Sequence, residues 1–358
     1  MSREIQEGAT NCVVECAQAK KGQSILVLNE EGGVDNEVSE ALASAAEKYG
    51  ADVRVVWGET IPKTSSRVPE SVIEALLASD VAIVTYPSLR REILHPHLKQ
   101  KQVMRSGNAA RTAALMASEW ARFPYSLEQM IINKLDEIME GAKSWSVTTP
   151  KGTDIRGRFQ GKESVVAGAY FERDDGNTRF SRSFPGGVHT PFNSVNMEGV
   201  VVAEHLSGLA ASGNAVTVEQ PFRVEIKNNR TVAIGGEDEG ARILKREIEE
   251  RAEGAYQWVD SWHAGTNPKT VVPWDQKREP RVWWNYAHWS PLALHFHLGR
   301  TVTPISLCCF QPTVQVDGRK IYENGRLAML DEIEGISRYS EKLFDNNPLP
   351  MWNKGGIG

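Results

Sequence analysis

The sequence predicts an α/β protein of two domains, a Rossmann-like parallel-sheet domain over residues 1–145 and a mainly β, α+β domain over residues 146–358. Three observations lead to this fold class. The chain has 358 residues, more than a single hydrophobic core usually serves. Strand and helix patterns alternate in the first part of the chain. After Trp145, strand patterns follow one another directly.

The N-terminal domain is expected to contain parallel strands separated by helices. Three segments have the apolar, β-branched composition of buried strands: SILVLNE (24–30), DVRVVWG (52–58) and DVAIVTYP (80–87). A helix ending at Gly50 and a second helix over residues 68–79 connect them, which predicts parallel pairing with right-handed crossovers. Gly32 and Gly33 lack the third glycine of a GxGxxG loop, which argues against dinucleotide binding.

The second domain is expected to begin after an amphipathic helix. This helix lies within residues 118–145, is entered through Pro124, ends at Gly141 and would connect the two domains. The segment VEIKNNRTVAI (224–234) predicts a β-hairpin that turns at residues 228–229, two asparagines that tolerate the left-handed turn conformation. Residues 240–254 predict one more surface helix.

The composition excludes several classes of function. The net charge is −5 and the cationic residues are scattered, so nucleic-acid binding is not expected. The N-terminus resembles no secretion signal and no stretch approaches eighteen apolar residues, which predicts a cytoplasmic protein without a membrane span. The four cysteines lack the spacing of a zinc-binding knuckle and are expected to be buried free thiols: Cys12, Cys16, Cys308 and Cys309. A small-molecule substrate is the expected partner.

Four histidines of the second domain stand in segments typical of functional sites. His189 lies in FPGGVHTPFNS and His263 in VDSWHAGTNP, both framed by glycine and proline. His295 and His297 lie in LALHFHLG, and on a strand their side chains would share one face. Neutral imidazole is the commonest ligand of transition metals, and three ligands leave open positions for chemistry. Hydrogen-bonded core histidines fit the same spacing, so spacing alone leaves both interpretations open.

The order of several segments resembles a known superfamily of enzymes. These segments are FPGGVHTPFNSVNMEGVVVAEHLSGL, the hairpin with its flanks, HFHLGR (295–300) and QPTVQVDGRKIYENG (311–325). They resemble the second domain of the thermophilic leucyl aminopeptidase family of metallopeptidases, a superfamily that also includes 2,5-dihydroxypyridine 5,6-dioxygenase-like members. The likeness covers roughly residues 110–325. It implies the same two-domain fold, a metal-binding second domain and a homo-oligomer.

The resemblance also implies which residues hold the metal. It points to His189, His263 and His295 as ligands. The peptidases bind two metals through two glutamates, a histidine and a His-x-Asp pair, but that pair would fall here on Pro304 and Ser306. Without these carboxylates nothing neutralises the charge of two dications. The comparison therefore predicts one ion with neutral ligands.

We favour a mononuclear non-haem metal-dependent enzyme that acts on a small aromatic or heterocyclic substrate, an Fe(II) ring-cleaving dioxygenase. Fe(II) is the preferred ion, with Mn(II) or Zn(II) as alternatives. His297 and Glu204 are the predicted catalytic groups, which would transfer a proton near the metal. Two arginines, Arg182 and Arg300, are predicted to grip a substrate carboxylate or phenolate.

Tryptophans give the predicted site its aromatic character. Large flat side chains beside a metal offer a planar substrate stacking surfaces. Three are predicted to contact the substrate: Trp262, Trp284 and Trp289. Plain core packing explains tryptophans equally well. Two other functions remain open at this point, namely a metal-dependent hydrolase or aminohydrolase and a non-catalytic binding protein with a degenerate site.

Overall fold

The computed structural model describes residues 1–62, 65, 67–89, 104–160, 166–167, 181–190, 194–209, 214–251, 255–270, 287–299, 304–339 and 343. The chain divides into two compact units. The first contains Met1–Gln129 and Gly168–Gly187, and the second contains Met130–Ala167 and Val188–Gly358. The predicted domain boundary after residue 145 stays a prediction. No helix in these described ranges is long and apolar enough to cross a membrane.

The first unit combines a parallel sheet with helices. Its strands are β1 Ser24–Glu30, β2 Asp52–Gly58, β3 Val81–Thr85, β4 Met104–Asn108 and β8 Ser181–Phe184. The helices in this part of the chain are α1 Arg3–Thr10, α2 Asn36–Lys48, α3 Glu70–Leu77, α4 Ala113–Met116, α5 Glu119–Arg122 and α6 Tyr125–Met139. A π-helical turn, Asn11–Cys16, continues α1, and α6 runs on into the second unit.

The sheet of the first unit has the order β2-β1-β3-β4-β8, and every neighbouring pair is parallel. All of β3 and nearly all of β1 are buried, because their apolar side chains form the core of this unit. The helix α2 links β1 to β2 and is followed by Gly50, whose φ of 80° ends it. The predicted Rossmann-like domain is therefore confirmed, with β1 and β2 at their predicted bounds.

The predicted helix is observed as α6, which begins at Tyr125, directly after Pro124, and ends at Met139, just before Gly141. The short α5 precedes it, and Phe123 between them is extended, with φ −62° and ψ 124°. The ring of Pro124 disfavours helical backbone at the preceding residue, which separates α5 from α6. The backbone N–H of Tyr125 donates to Oδ1 of Asn11 at 3.0 Å, which satisfies a free donor at the start of α6.

The second unit is a large, mainly antiparallel sheet, and its described part contains the C-terminal part of α6 and one further helix. Its strands are β5 Ser144–Thr148, β6 Asp154–Phe159, β7 Val166–Ala167, β9 Val188–Thr190, β10 Ser194–Leu209, β11 Asn214–Lys227, β12 Arg230–Ile234, β13 Val259–Gly265, β14 Ala293–Leu298, β15 Ile305–Phe310, β16 Thr313–Val316, β17 Arg319–Glu323 and β18 Arg326–Leu327. The helix is α7 Glu239–Glu250, and short 3₁₀ turns are Ala255–Gln257, Leu330–Glu332 and Ile336–Arg338.

The strand order brings distant parts of the sequence together. It runs β18-β17-β16-β5-β6-β10-β15-β14-β13-β9-β7, and the hairpin β11–β12 pairs with β10 outside this path. The predicted hairpin is confirmed, since Asn228 and Asn229 adopt left-handed φ values of 48° and 61°. The predicted mainly β, α+β character of the second domain is likewise confirmed.

One face of the central strands forms a dense aromatic core. Trp145, Trp262 and Phe296 are fully buried. The rings of Trp145 and Trp262 meet edge to face with centroids 6.2 Å apart, and the centroids of Trp145 and Phe296 lie 6.5 Å apart. Side chains alternate between the two faces of a strand, so this core fixes which residues of β13 and β14 point to the other side.

Candidate metal centre

Three histidines lie on the face of the sheet opposite the aromatic core. The strands β13 and β14 pair antiparallel, with His263 directly opposite His295. Directly paired residues share a face, and so do residues two apart on one strand. His297 is two positions beyond His295, so its side chain joins the other two. The pairing register of these two strands therefore assembles the cluster from residues more than thirty positions apart in sequence.

The three imidazole rings are in contact. The rings of His263 and His295 stack with centroids 4.7 Å apart and an angle of 8° between their planes. The ring centroid of His297 lies 3.9 Å from that of His263 and 5.1 Å from that of His295. Nε2 of His263 and Nδ1 of His297 are 2.9 Å apart, a hydrogen-bond distance. One potential ligand atom from each of the three residues lies within 4.8 Å of the others.

Burial keeps the imidazoles of His295 and His297 neutral. His263 is 9% exposed and His295 is 6% exposed. Burial lowers the pKa of His295 well below its ordinary value of 6.5, and neighbouring His297, His288 and His205 lower it further. Burial lowers the pKa of His297 to about 4. A neutral imidazole retains a nitrogen lone pair, and a metal ligand requires this lone pair.

The cluster is a candidate site for a single metal ion. Two nitrogens that bind one ion at right angles, each at about 2.1 Å, lie about 3.0 Å apart. The observed separation of 2.9 Å between His263 Nε2 and His297 Nδ1 is close to this nitrogen–nitrogen distance. Among the residues that the structure describes, the group of close potential ligands contains histidines only. Such a set suits one divalent transition metal with open positions, and does not suit Ca²⁺ or Mg²⁺, which prefer oxygen ligands.

Two solved structures are similar to this chain over nearly its whole length. The 2,5-dihydroxypyridine dioxygenase from Pseudomonas putida KT2440 has a TM-score of 0.68 at 14% identity, over 93% of this chain and 100% of its own. AmpT from Thermus thermophilus has a TM-score of 0.59 at 12% identity, over 91% of this chain and 99% of its own. The chain has the fold of these two proteins.

The structural likeness confirms the resemblance predicted from the sequence. No known protein-family profile matches the chain. No curated protein sequence is significantly similar to it. At 14% and 12% identity the likeness to the two solved structures shows the fold alone. Statements about chemistry therefore rest on the residues of this chain.

The predicted ligand His189 lies on a strand beside the cluster. It belongs to β9, which pairs with β13, and its direct partner there is Ala264, next to His263. Its side chain lies outside the described part of the structure. Two of the predicted ligands, His263 and His295, thus lie in one cluster. The third member of the cluster is His297, which was predicted to be a catalytic group. The assignment of His189 as a ligand stays a prediction.

The predicted substrate-binding residues fall in different places. Trp262 neighbours His263 on β13 and is fully buried in the aromatic core on the opposite face, away from the histidine cluster. Trp289 lies on the histidine side, with its ring centroid 4.9 Å from that of His288. Trp284 and Arg300 lie outside the described residues, and of Arg182 only the backbone, on β8, is described.

The predicted catalytic carboxyl, Glu204, is a buried group on β10. It is 6% exposed, and its Oε1 accepts a hydrogen bond from the backbone N–H of Phe310 at 3.0 Å. Burial raises the pKa of Glu204 from 4.5 to about 7, while the bond from Phe310 and the charge of Lys151 oppose this rise. A carboxyl with this pKa can both release and accept a proton near neutral pH.

A fourth histidine, His205, stands in line with the cluster. It lies within β10, where it pairs directly with Cys308 of β15, and Cys308 in turn pairs with His295. Directly paired residues share a face, so these side chains and His263 form one row across four strands. His205 is fully buried, and burial lowers its pKa to about 3. The apolar, β-branched start of GVVVAEHLSGL (199–209) is a sequence signal for the strand that contains His205.

Proposed function

We propose that the protein is a mononuclear non-haem metal-dependent enzyme whose ion is held by His263, His295 and His297. The observation that carries this proposal is the cluster itself: potential ligand atoms of the three residues lie within 4.8 Å of one another on one face of β13 and β14. Three neutral ligands on one side of an ion leave positions on its other side for a substrate and a second reactant.

We further propose that the reaction is oxidative cleavage of a small aromatic or heterocyclic ring with O₂. Bound Fe(II) would supply the electrons that activate O₂, and Mn(II) or Zn(II) are the alternative ions. The fold shared with a 2,5-dihydroxypyridine dioxygenase supports this choice by analogy. The aromatic side chains of His288 and Trp289 beside His295 support a flat substrate.

The residues of the chain have separate tasks in this proposal. The three imidazoles hold the ion, and burial keeps those of His295 and His297 in the neutral form that binds it. Glu204 keeps its predicted role in proton transfer because its pKa lies near 7, but it neighbours His205 on β10, so strand alternation directs its side chain to the face opposite the histidine row. The predicted roles of Arg182 and Arg300 in gripping a substrate anion belong to the same proposal.

The cellular setting belongs to the proposal as well. All four cysteines of the chain are free and buried, which supports a reducing compartment such as the cytoplasm. A small-molecule substrate fits a site formed by a few convergent imidazoles and an aromatic wall. A homo-oligomer remains an expectation from the resemblance described above.

Anaerobic reconstitution followed by O₂ uptake tests the proposal. The metal-free protein is loaded with Fe(II), and O₂ consumption is measured with dihydroxylated pyridines and aminophenols. The proposal expects O₂ uptake that depends on both Fe(II) and the ring compound and is lost in His295→Ala. The matched control is Trp262→Phe, at the strand position that faces away from the cluster. Hydrolysis with Zn(II) or Mn(II) in the absence of O₂ would instead establish a metal-dependent hydrolase, and failure to bind any metal would leave a binding protein.

A further inference from the structure

Gly265 lies beside the histidine cluster and has a backbone segment packed directly on it. It is the last residue of β13, two positions beyond His263, and so belongs to the same face of the sheet. A Cβ atom at this position would lie 2.1 Å from the carbonyl carbon of Trp289 and 2.4 Å from the nitrogen of Ser290. The peptide bond between Trp289 and Ser290 therefore occupies the space that any side chain at position 265 would fill.

Hydrogen bonds hold this peptide in place. The backbone N–H of Asn267 donates to the carbonyl oxygen of Trp289 at 3.1 Å, just beyond the end of β13. The N–H of Ser290 donates to the carbonyl oxygen of Ala287 at 3.0 Å and closes a turn over residues 287–290. The turn is thus held beside the end of β13 by the hydrogen bond from Asn267 and by close packing on Gly265.

The turn presents two aromatic side chains next to the cluster. The ring of His288 meets that of His295 edge to face, with centroids 6.5 Å apart and an angle of 86° between the planes. The ring of Trp289 lies beside His288, with centroids 4.9 Å apart. These two residues form a wall, here called the 288–289 wall, along one side of the cluster. A wall of aromatic rings offers a stacking surface to flat ligands and none to bulky ones.

We propose that Gly265 is a positioning residue that sets the 288–289 wall, and that this wall restricts the site to planar, ring-containing ligands of the metal. The inference rests on the proposed function for its metal, but the position of the wall does not depend on the metal. The backbone of Gly265 is outside the left-handed region, so alanine fits its conformation. Any effect of Gly265→Ala therefore arises from displacement of the Trp289–Ser290 peptide.

A matched control exists in the same unit. Gly157 on β6 also has a backbone outside the left-handed region, and a Cβ there would lie 2.5 Å from the indole of Trp145 in the aromatic core. Gly157→Ala thus introduces a comparable clash on the other face of the sheet. If Gly265 matters only for general packing, the two variants will behave alike at the cluster.

Fluorine NMR of protein labelled with 5-fluorotryptophan reports the wall directly. The ten tryptophans give separate signals, and that of Trp289 is the one missing in Trp289→Phe. We expect Gly265→Ala to shift or broaden the Trp289 signal of the metal-free protein, while Gly157→Ala leaves it in place. An unchanged Trp289 signal in Gly265→Ala overturns the positioning role, whether or not the wild type binds a metal.

Ligand titrations of the Co(II)-loaded protein test the selectivity. The probes are catechol, which is a planar chelator, and acetohydroxamate, which chelates without a ring. We expect Gly265→Ala and Trp289→Ala to weaken catechol binding about tenfold, the effect of one lost aromatic contact, and to leave acetohydroxamate unchanged. Equal losses for both probes overturn the selectivity. If the wild type binds no Co(II), the proposed function fails and selectivity for ligands of the metal fails with it, while the fluorine signal still decides the role of Gly265.

Discussion

The side chain of Asn229 joins β10, the β11–β12 turn and the start of β13, so removing it should destabilise the unit that carries the histidine cluster. Its Oδ1 accepts from the N–H of Met197 at 3.0 Å, and its Nδ2 donates to the carbonyl oxygens of Ser194 at 2.8 Å and Val259 at 3.0 Å. The side chain is 2% exposed, so alanine leaves all three backbone groups without these partners in a buried place.

The expected loss for Asn229→Ala is about 4 kcal/mol. Each of the three buried hydrogen bonds contributes about 1 kcal/mol. The left-handed φ of 61° costs alanine about 1 kcal/mol more than asparagine. The matched control is Asn228→Ala, because Asn228 has a left-handed φ of 48° but is exposed. Asn228→Ala should lower the free energy of unfolding only by the cost of the left-handed φ for alanine, about 1 kcal/mol.

Urea unfolding of the metal-free proteins, followed by tryptophan fluorescence, measures both losses. The free energy of unfolding is obtained from the transition midpoint and slope of each variant. A difference of about 3 kcal/mol between the two variants is expected, because three hydrogen bonds separate them. Equal destabilisation by Asn228→Ala and Asn229→Ala would refute the claim that the side chain of Asn229 joins these strands.

Three further predictions concern the same unit. Because burial raises the pKa of Glu204 to about 7, the folded state holds the proton of this carboxyl more tightly, and the free energy of unfolding should fall as pH rises from about 4.5 to 7. Glu204→Gln should remove this pH dependence of the urea midpoint and raise the free energy of unfolding by about 3 kcal/mol at pH 8. An unchanged pH dependence in the variant would contradict the raised pKa of Glu204. Trp262→Ala should lower the free energy of unfolding by about 4 kcal/mol in the same assay, since the side chain is fully buried. A decrease no larger than that caused by an alanine substitution at an exposed position would exclude its role in the core. Removing the metal with a chelator should lower the thermal midpoint by the equivalent of about 3 kcal/mol at a hundredfold excess of ion over its Kd. His263→Ala should show no such shift, and an equal shift there would place the ion elsewhere.

Much of the fold follows from local sequence patterns. The strand β1 is a continuous apolar run and the β11–β12 turn contains two asparagines with left-handed φ, so both appear where the patterns place them. The start of α6 also has a local cause, because the ring of Pro124 disfavours helical backbone at Phe123. These features depend on residues close together in the chain.

The site depends on pairings between distant strands, which the sequence patterns do not specify. The spacing of His295 and His297 predicts that they share a face if the segment is a strand, and β14 confirms this. It does not predict that His263 pairs directly with His295, because the register of two strands so far apart is set by the whole sheet. For the same reason the sequence patterns do not place His205 in the histidine row or Trp262 on the core face.

Metal content of the freshly purified and the reconstituted protein tests the central claim most directly. Elemental analysis of the wild type, of His263→Ala, His295→Ala and His297→Ala, and of the control Trp262→Phe gives the number of ions per chain. The account predicts one transition-metal ion per chain in the wild type and the control, and loss of that ion in each histidine variant. The ring of His295 contacts the rings of both His263 and His297. One full metal ion per chain in His295→Ala would therefore contradict the proposed metal site.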